Sequence, residues 1–101
     1  MKKKEWWEME FQLQELGENK FAFVGEQNGE RLAEISWVQQ GELMVMDHTV
    51  VSDKLRGQGV AKKLLDRAAD YARENQYKMQ AVCTYVVAAF EKSNAYDDVK
   101  Q

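Results

Sequence analysis

Between Glu10 and Val51 the apolar positions recur with a period near two, and turn-forming tetrads interrupt them at short intervals. Leu32, Glu34 and Ser36 alternate with Ala33, Ile35 and Trp37, which is the pattern of a strand with two unlike faces. Phe, Val, Ile and Trp dominate these stretches, and branched and aromatic side chains suit a pleated surface. Four strands are expected, at Glu10 to Leu16, Phe21 to Glu26, Arg31 to Val38 and Glu42 to Val51. Gly17-Glu18-Asn19-Lys20, Gln27-Asn28-Gly29-Glu30 and Gln39-Gln40-Gly41-Glu42 separate them. Asn28-Gly29 is a strong hairpin signal. Connections this short join antiparallel neighbours, so the four strands read as a meander.

The period then changes. Val60, Leu64, Ala68 and Ala72 follow one another at i+4 spacing, with Ala61, Leu65 and Ala69 beside them. Lys62, Lys63, Asp66, Arg67, Asp70 and Arg73 fall on the other side, so an amphipathic helix is expected from Gly59 to Glu74. Met79 to Cys83 reads as a short buried strand. A strand, a helix and a second strand in this spacing form a crossover unit, which makes the last pairing parallel. Thr84 is a suitable cap for a final helix, Tyr85 to Ser93, with Val86, Val87 and Phe90 facing inward. The expected fold is α/β (α+β): a mixed, mostly antiparallel sheet in the order β-β-β-β-α-β-α, as one domain over residues 1–101.

Composition narrows the function. Hydrophobic residues make up 45% of the chain and charged residues 31%, a globular rather than disordered balance. The net charge of -3 offers no basic field to attract a nucleic-acid backbone. The run Lys2-Lys3-Lys4 is followed by Glu5-Trp6-Trp7-Glu8 and not by an apolar segment, so neither a signal peptide nor a membrane anchor is expected. The single cysteine excludes an internal disulfide and suits a cytoplasmic location.

The candidate chemistry begins at Asp53-Lys54-Leu55-Arg56-Gly57-Gln58-Gly59-Val60-Ala61, between the fourth strand and the helix. Glycines let a backbone approach a ligand closely. The first turn of a helix offers unpaired amides and a positive dipole end, which together suit a phosphate. A P-loop would require Lys and then Ser or Thr after the glycine, yet Val60-Ala61 follow Gly59. A dinucleotide fingerprint would require a third glycine where Lys62 stands, and an acid near Tyr77. The spacing left is Arg56-x-x-Gly59-x-Ala61.

That spacing resembles the pyrophosphate motif of the GNAT superfamily of N-acetyltransferases, and the chain is similar to its small single-domain members. The resemblance runs through His48-Thr49-Val50-Val51, Leu55 to Ala61, Leu64-Leu65, Tyr71-Ala72-Arg73, Cys83-Thr84-Tyr85-Val86 and Phe90-Glu91-Lys92. It stops at Ser93-Asn94-Ala95-Tyr96, where those proteins commonly carry His-Pro-Glu-Tyr, so no histidine role carries over there. The resemblance implies an acetyl-CoA-dependent N-acetyltransferase that needs no metal. It implies that Arg56, Gly57, Gln58, Gly59, Val60, Ala61 and Lys62 hold the pyrophosphate, with Lys63 at its rim. Thr49, Val50 and Val51 would run beside the pantetheine arm in a gap between the fourth and fifth strands.

Three side chains carry the candidate chemistry. Cys83 could protonate the leaving thiolate or take the acetyl group itself, or be only a small buried hydrophobe. His48 has the side chain best suited to a base near neutral pH, or is a polar residue satisfied within the sheet. Tyr85 could serve as the acid, or only pack at the helix start. Arg56 binds phosphate or closes the loop onto Asp53. Trp6, Trp7, Phe11, Phe21, Phe23, Trp37, Met44 and Met46 read as packing. Only Gln27-Asn28-Gly29-Glu30 joins the second and third strands, where larger relatives insert helices over the acceptor site. An open groove for a protein or peptide amine follows, in a monomer or a homodimer. The alternative is an acyl-CoA-binding or interaction module without turnover.

Overall fold

Asn28 and Gly29 both adopt positive φ, 54° and 79°, the pair of dihedrals that a tight hairpin turn demands. This turn joins two of five strands in the computed structural model, which describes residues 9–101. The strands are β1 (Phe11–Gly17), β2 (Lys20–Gln27), β3 (Glu30–Gln40), β4 (Leu43–Val51) and β5 (Lys78–Ala81). They lie in the order β1-β2-β3-β4-β5, antiparallel except for the parallel pairing of β4 with β5. The expected element order and pairing are therefore both found.

Helix α1 (Val60–Asn75) crosses from β4 to β5, preceded by a 3-10 turn at Asp53–Leu55. Its buried residues are Val60, Leu64, Leu65, Ala68, Ala69 and Ala72. The three alanines allow the helix axis close to the sheet, where Ile35, Trp37, Met44 and Met46 are fully buried. Phe23, Trp37 and Tyr71 meet with ring centroids 5.6 Å apart, and the Arg67 guanidinium lies 4.6 Å from the Phe23 ring centre. Phe11 and Phe21 are half-buried against the same core. Trp6 and Trp7 lie outside the described residues.

Two boundaries differ from expectation at one place, for one reason. The amides of Val82 and Cys83 both donate to the Met46 carbonyl, at 3.1 and 2.9 Å. Sharing one acceptor ends the ladder, so β5 stops at Ala81 instead of reaching Cys83. The chain turns at once into α2 (Thr84–Lys92), whose N-cap is Cys83. Thr84 is thus the first helical residue and not the cap. Beyond α2, Tyr96 is buried with its ring centroid 5.3 Å from that of Phe90. The Met79 amide donates to Val99 and the Gln101 amide to Met79, at 2.7 and 2.9 Å, which covers part of the free edge of β5.

Candidate functional site

The register of β4 slips once. Trp37 pairs with Met46 and Ser36 with His48, which leaves Asp47 without a partner. A bulge of this kind sends two consecutive side chains to one face. Asp47 and His48 therefore join Ser36 on one face of the sheet, and Thr49, opposite Ile35, returns to the helix-covered face. The β4–β5 ladder ends at Met46 and Ala81, directly before the bulge. From there the elements part, with Asp47 to Val51 on one side and the start of α2 on the other. Thr49 and Cys83 meet across the gap, Sγ to Oγ1 3.5 Å.

Cys83 is half-buried, and burial alone would raise its pKa. The Thr49 hydroxyl and the backbone amides of Val86, Tyr85 and Thr49 outweigh that effect and hold the thiol below its ordinary value. A thiol at a helix N-terminus gains thiolate character for this reason. Tyr85 behaves in the opposite way. Burial first, and then the Asp66 carboxylate, push its phenol up, so it stays protonated at neutral pH.

Tyr85 also joins this gap to the glycine loop. It lines a hollow of about 240 Å³ together with Val51, Arg56, Gly57, Gly59 and Lys62. Gly57 and Gly59 both hold positive φ, 78° and 73°. Gly59 is the N-cap of α1 and makes no side-chain cap bond, and no acid stands in the first turn. The first intrahelical amide bond runs from Lys63 to Gly59, so the amides of Val60, Ala61 and Lys62 have no partner within the helix. This end of α1 is an uncompensated positive dipole that opens on the hollow.

The charged residues of the loop are engaged locally. Arg56 pairs with Asp53 at 2.8 Å, as the loop-closing alternative expects, with both side chains well exposed. Lys62 pairs with Asp66 at 2.8 Å, one turn along α1. Gln58 is exposed on the loop, and Thr49 and Val51 are half-buried. The Val50 side chain lines a separate hollow with Arg31 and Ser52. His48 is exposed on the face opposite Cys83, so the sheet separates these two candidates. Among the described residues, no group of three or more His, Cys, Asp or Glu could hold a metal ion.

Sequence reasoning missed Ser36 and Lys20 as the partners of Asp47. Its carboxylate accepts from the Ser36 hydroxyl at 3.0 Å and pairs with the Lys20 ammonium. The signal was present: Asp47-His48 breaks the alternation that Met44 and Met46 establish.

A family model described as GCN5-related N-acetyl-transferase matches residues 20–99. Among solved structures, a GCN5-like protein from Staphylococcus aureus is 39% identical, with a TM-score of 0.67 over 90% of this chain and 88% of its own. The ribosomal-protein-S18-alanine N-acetyltransferase from Escherichia coli is 20% identical, with a TM-score of 0.61 over 75% of this chain. The chain spans about half of that enzyme, 52% of its length. A CoA complex of the E. coli GNAT family N-acetyltransferase YhbS is 22% identical, with a TM-score of 0.51 over 56% of this chain and 36% of its own. At these two identities the likeness is one of fold. Among curated proteins no match was found.

Proposed function

Because the chain belongs to the GCN5-related N-acetyl-transferase family, we propose that it binds acetyl-CoA and transfers the acetyl group to a primary amine. The observation that carries this reading is a juxtaposition: the open end of α1 and Tyr85 line one hollow, and Cys83, two residues before Tyr85, meets Thr49 in the gap between β4 and β5.

The pyrophosphate sits on the amides of Gly59 to Lys62. Arg56 and Lys62 turn from Asp53 and Asp66 towards it. Exposed ion pairs are worth at most about 1 kcal/mol, so a phosphate competes easily for either cation. The pantetheine arm lies along Thr49 to Val51, where β4 no longer pairs with β5. Its thioester then reaches Cys83.

Two routes fit the residues. In the first, a neutral amine attacks the thioester carbonyl, the C–S bond to CoA breaks, Tyr85 protonates the leaving thiolate and the amine proton passes to water, because His48 lies across the sheet. In the second, the Cys83 thiolate attacks the carbonyl, forms an S-acetyl bond and releases CoA as its thiolate. The neutral amine then attacks acetyl-Cys83, the Cys83 thiolate leaves, and the amine proton passes to the CoA thiolate. The lowered pKa of Cys83 and its contact with Thr49 favour the second route, because they raise the share of the thiol present as the nucleophilic thiolate. β2 and β3 are joined by a hairpin alone, which leaves the acceptor side open and suits a protein or peptide amine.

Calorimetry and mass spectrometry test both levels. Acetyl-CoA should bind at micromolar concentration, and a panel of amines should contain at least one that is acetylated. No binding overturns the proposal. Binding without any transfer reduces the protein to an acyl-CoA-binding module. An acetyl adduct on Cys83, lost in Cys83→Ala together with transfer, selects the second route.

A further inference from the structure

We propose that Asp47 anchors an ammonium group of the acceptor other than the amine that is acetylated, and that Lys20 occupies this position in the free protein. The inference rests on the acetyl-transfer reading and adds to it the place and charge of the second substrate.

Asp47 is the unpaired residue of the β4 bulge, which directs its carboxylate onto the face bearing Ser36 and His48. It directly follows Met46, where β4 and β5 part. Thr49, two residues on, faces the other way and meets Cys83. A carboxylate on one face and a thiol on the other thus flank the same gap. An acceptor entering from the Asp47 side approaches the thioester without crossing the path from the glycine loop.

The carboxylate is prepared for a cation. Ser36 is buried, and its hydroxyl donates to one oxygen at 3.0 Å, which fixes the plane of the group. The other oxygen holds the Lys20 ammonium, which reaches across β3 from the start of β2. Lys20 and Asp47 keep side-chain exposures of 30% and 22%, so water and a second ammonium reach the pair. His48 lies beside them, and Glu34 faces the same side of β3 two residues from Ser36.

Lys20 is itself a primary ammonium on a flexible four-carbon stem, so the site already holds the chemistry that it would select. Replacing Lys20 by an acceptor exchanges one ion pair for another of the same kind. A resident competitor lowers the apparent affinity by the fraction of time that it occupies the site.

The test is an amide-resolved NMR titration of the full chain with n-butylammonium chloride, read at Ser36, Asp47 and His48. Lys20→Met keeps most of the stem and removes the charge. It should bind the probe about fivefold more tightly than the wild type, the scale of a released ion pair. Lys20→Met combined with Asp47→Asn should lose that binding. Lys20→Gln and Ser36→Ala keep the question open to test if either first variant fails to fold; Lys20→Gln should bind more tightly and Ser36→Ala more weakly than the wild type. Equal binding by the wild type and both Lys20 variants overturns the proposal and makes the pair a brace between β2 and β4. Binding that survives Asp47→Asn also overturns it. Calorimetry with acetyl-CoA on the same samples separates the two readings, because a failure there removes the transfer reading while the titration still reports on Asp47.

Discussion

At the scale of single residues, the reactivity of Cys83 is set by a balance that one substitution can tip. Burial raises its pKa, and among the groups that lower it the Thr49 hydroxyl acts most strongly. Thr49→Val keeps the shape and removes the hydroxyl. The pH at which iodoacetamide alkylation of Cys83 is half-maximal should therefore lie below that of an ordinary cysteine in the wild type and rise in Thr49→Val. No upward shift would remove Thr49 from the account. Gly59 offers a second test. An added Cβ would meet nothing within 4 Å, so the cost of Gly59→Ala is dihedral strain at φ 73° and not a clash. That strain is about 1 kcal/mol, and acetyl-CoA affinity should fall with it, as measured by denaturation and calorimetry side by side. The loop was legible in the sequence because glycine spacing is a local signal. The environment of Cys83 was less so. An apolar run from Met79 to Cys83 contains no breaker, and the strand ends only because Met46, distant in sequence, accepts two amides at once.

At the scale of elements, the segment after α2 does more than its sequence announces. The Tyr96 hydroxyl donates to Asp66 at 2.5 Å, and Asp66 also holds Lys62 near the start of α1. Tyr96→Phe should cost about 1 kcal/mol, the usual worth of a hydrogen bond, and leave Lys62 as the charged partner of Asp66. Chemical denaturation reads the loss, and an unchanged midpoint would show that the bond contributes nothing. Arg73 clasps Asp98 with two bonds, at 2.7 and 3.1 Å, and also reaches the Ala95 carbonyl. The Arg73 hydrogen bond, ahead of a smaller opposing desolvation, holds the Asp98 carboxyl below its ordinary value. A depressed carboxylate contributes stability that is complete above its unfolded pKa and lost as pH falls through the folded one. Protection factors of the Met79 and Gln101 amides, taken relative to intrinsic exchange at each pH, should thus fall at acid pH ahead of those of the core, and Arg73→Ala should show the lower protection already at neutral pH. The apolar pattern revealed each strand and both helices, α1 most clearly because its buried residues form a regular stripe, and β1 although none of its residues is buried. It was silent on residues 93–101, whose hold depends on single contacts by Tyr96, Asp98 and Val99 and not on a repeat.

At the scale of the whole molecule, the proposed cofactor path draws on several parts of the chain at and beyond the end of the meander. The loop, the free edge of β4, the start of α2 and, through Asp66, the C-terminal segment all border it. Nothing in the described residues fills the hollow beside Tyr85, and the amides at the start of α1 lack partners within the helix. A ligand that satisfies them should therefore stabilise the fold as a unit. Binding to the native state alone contributes about 2.7 kcal/mol at a hundredfold excess over Kd. In a domain of this size that raises Tm by about 10 °C or more. Acetyl-CoA should produce this shift in a thermal melt at such an excess. Acetyl-pantetheine, which lacks the pyrophosphate, should produce a much smaller one at the same concentration. Gly59→Ala should bring the acetyl-CoA shift towards the acetyl-pantetheine value and leave the latter unchanged, because only the nucleotide end depends on the dihedrals of the loop. If acetyl-pantetheine shifts Tm as far as acetyl-CoA, the pyrophosphate does not bind at the start of α1, and the reading of residues Arg56 to Lys62 fails while that of Cys83 stands.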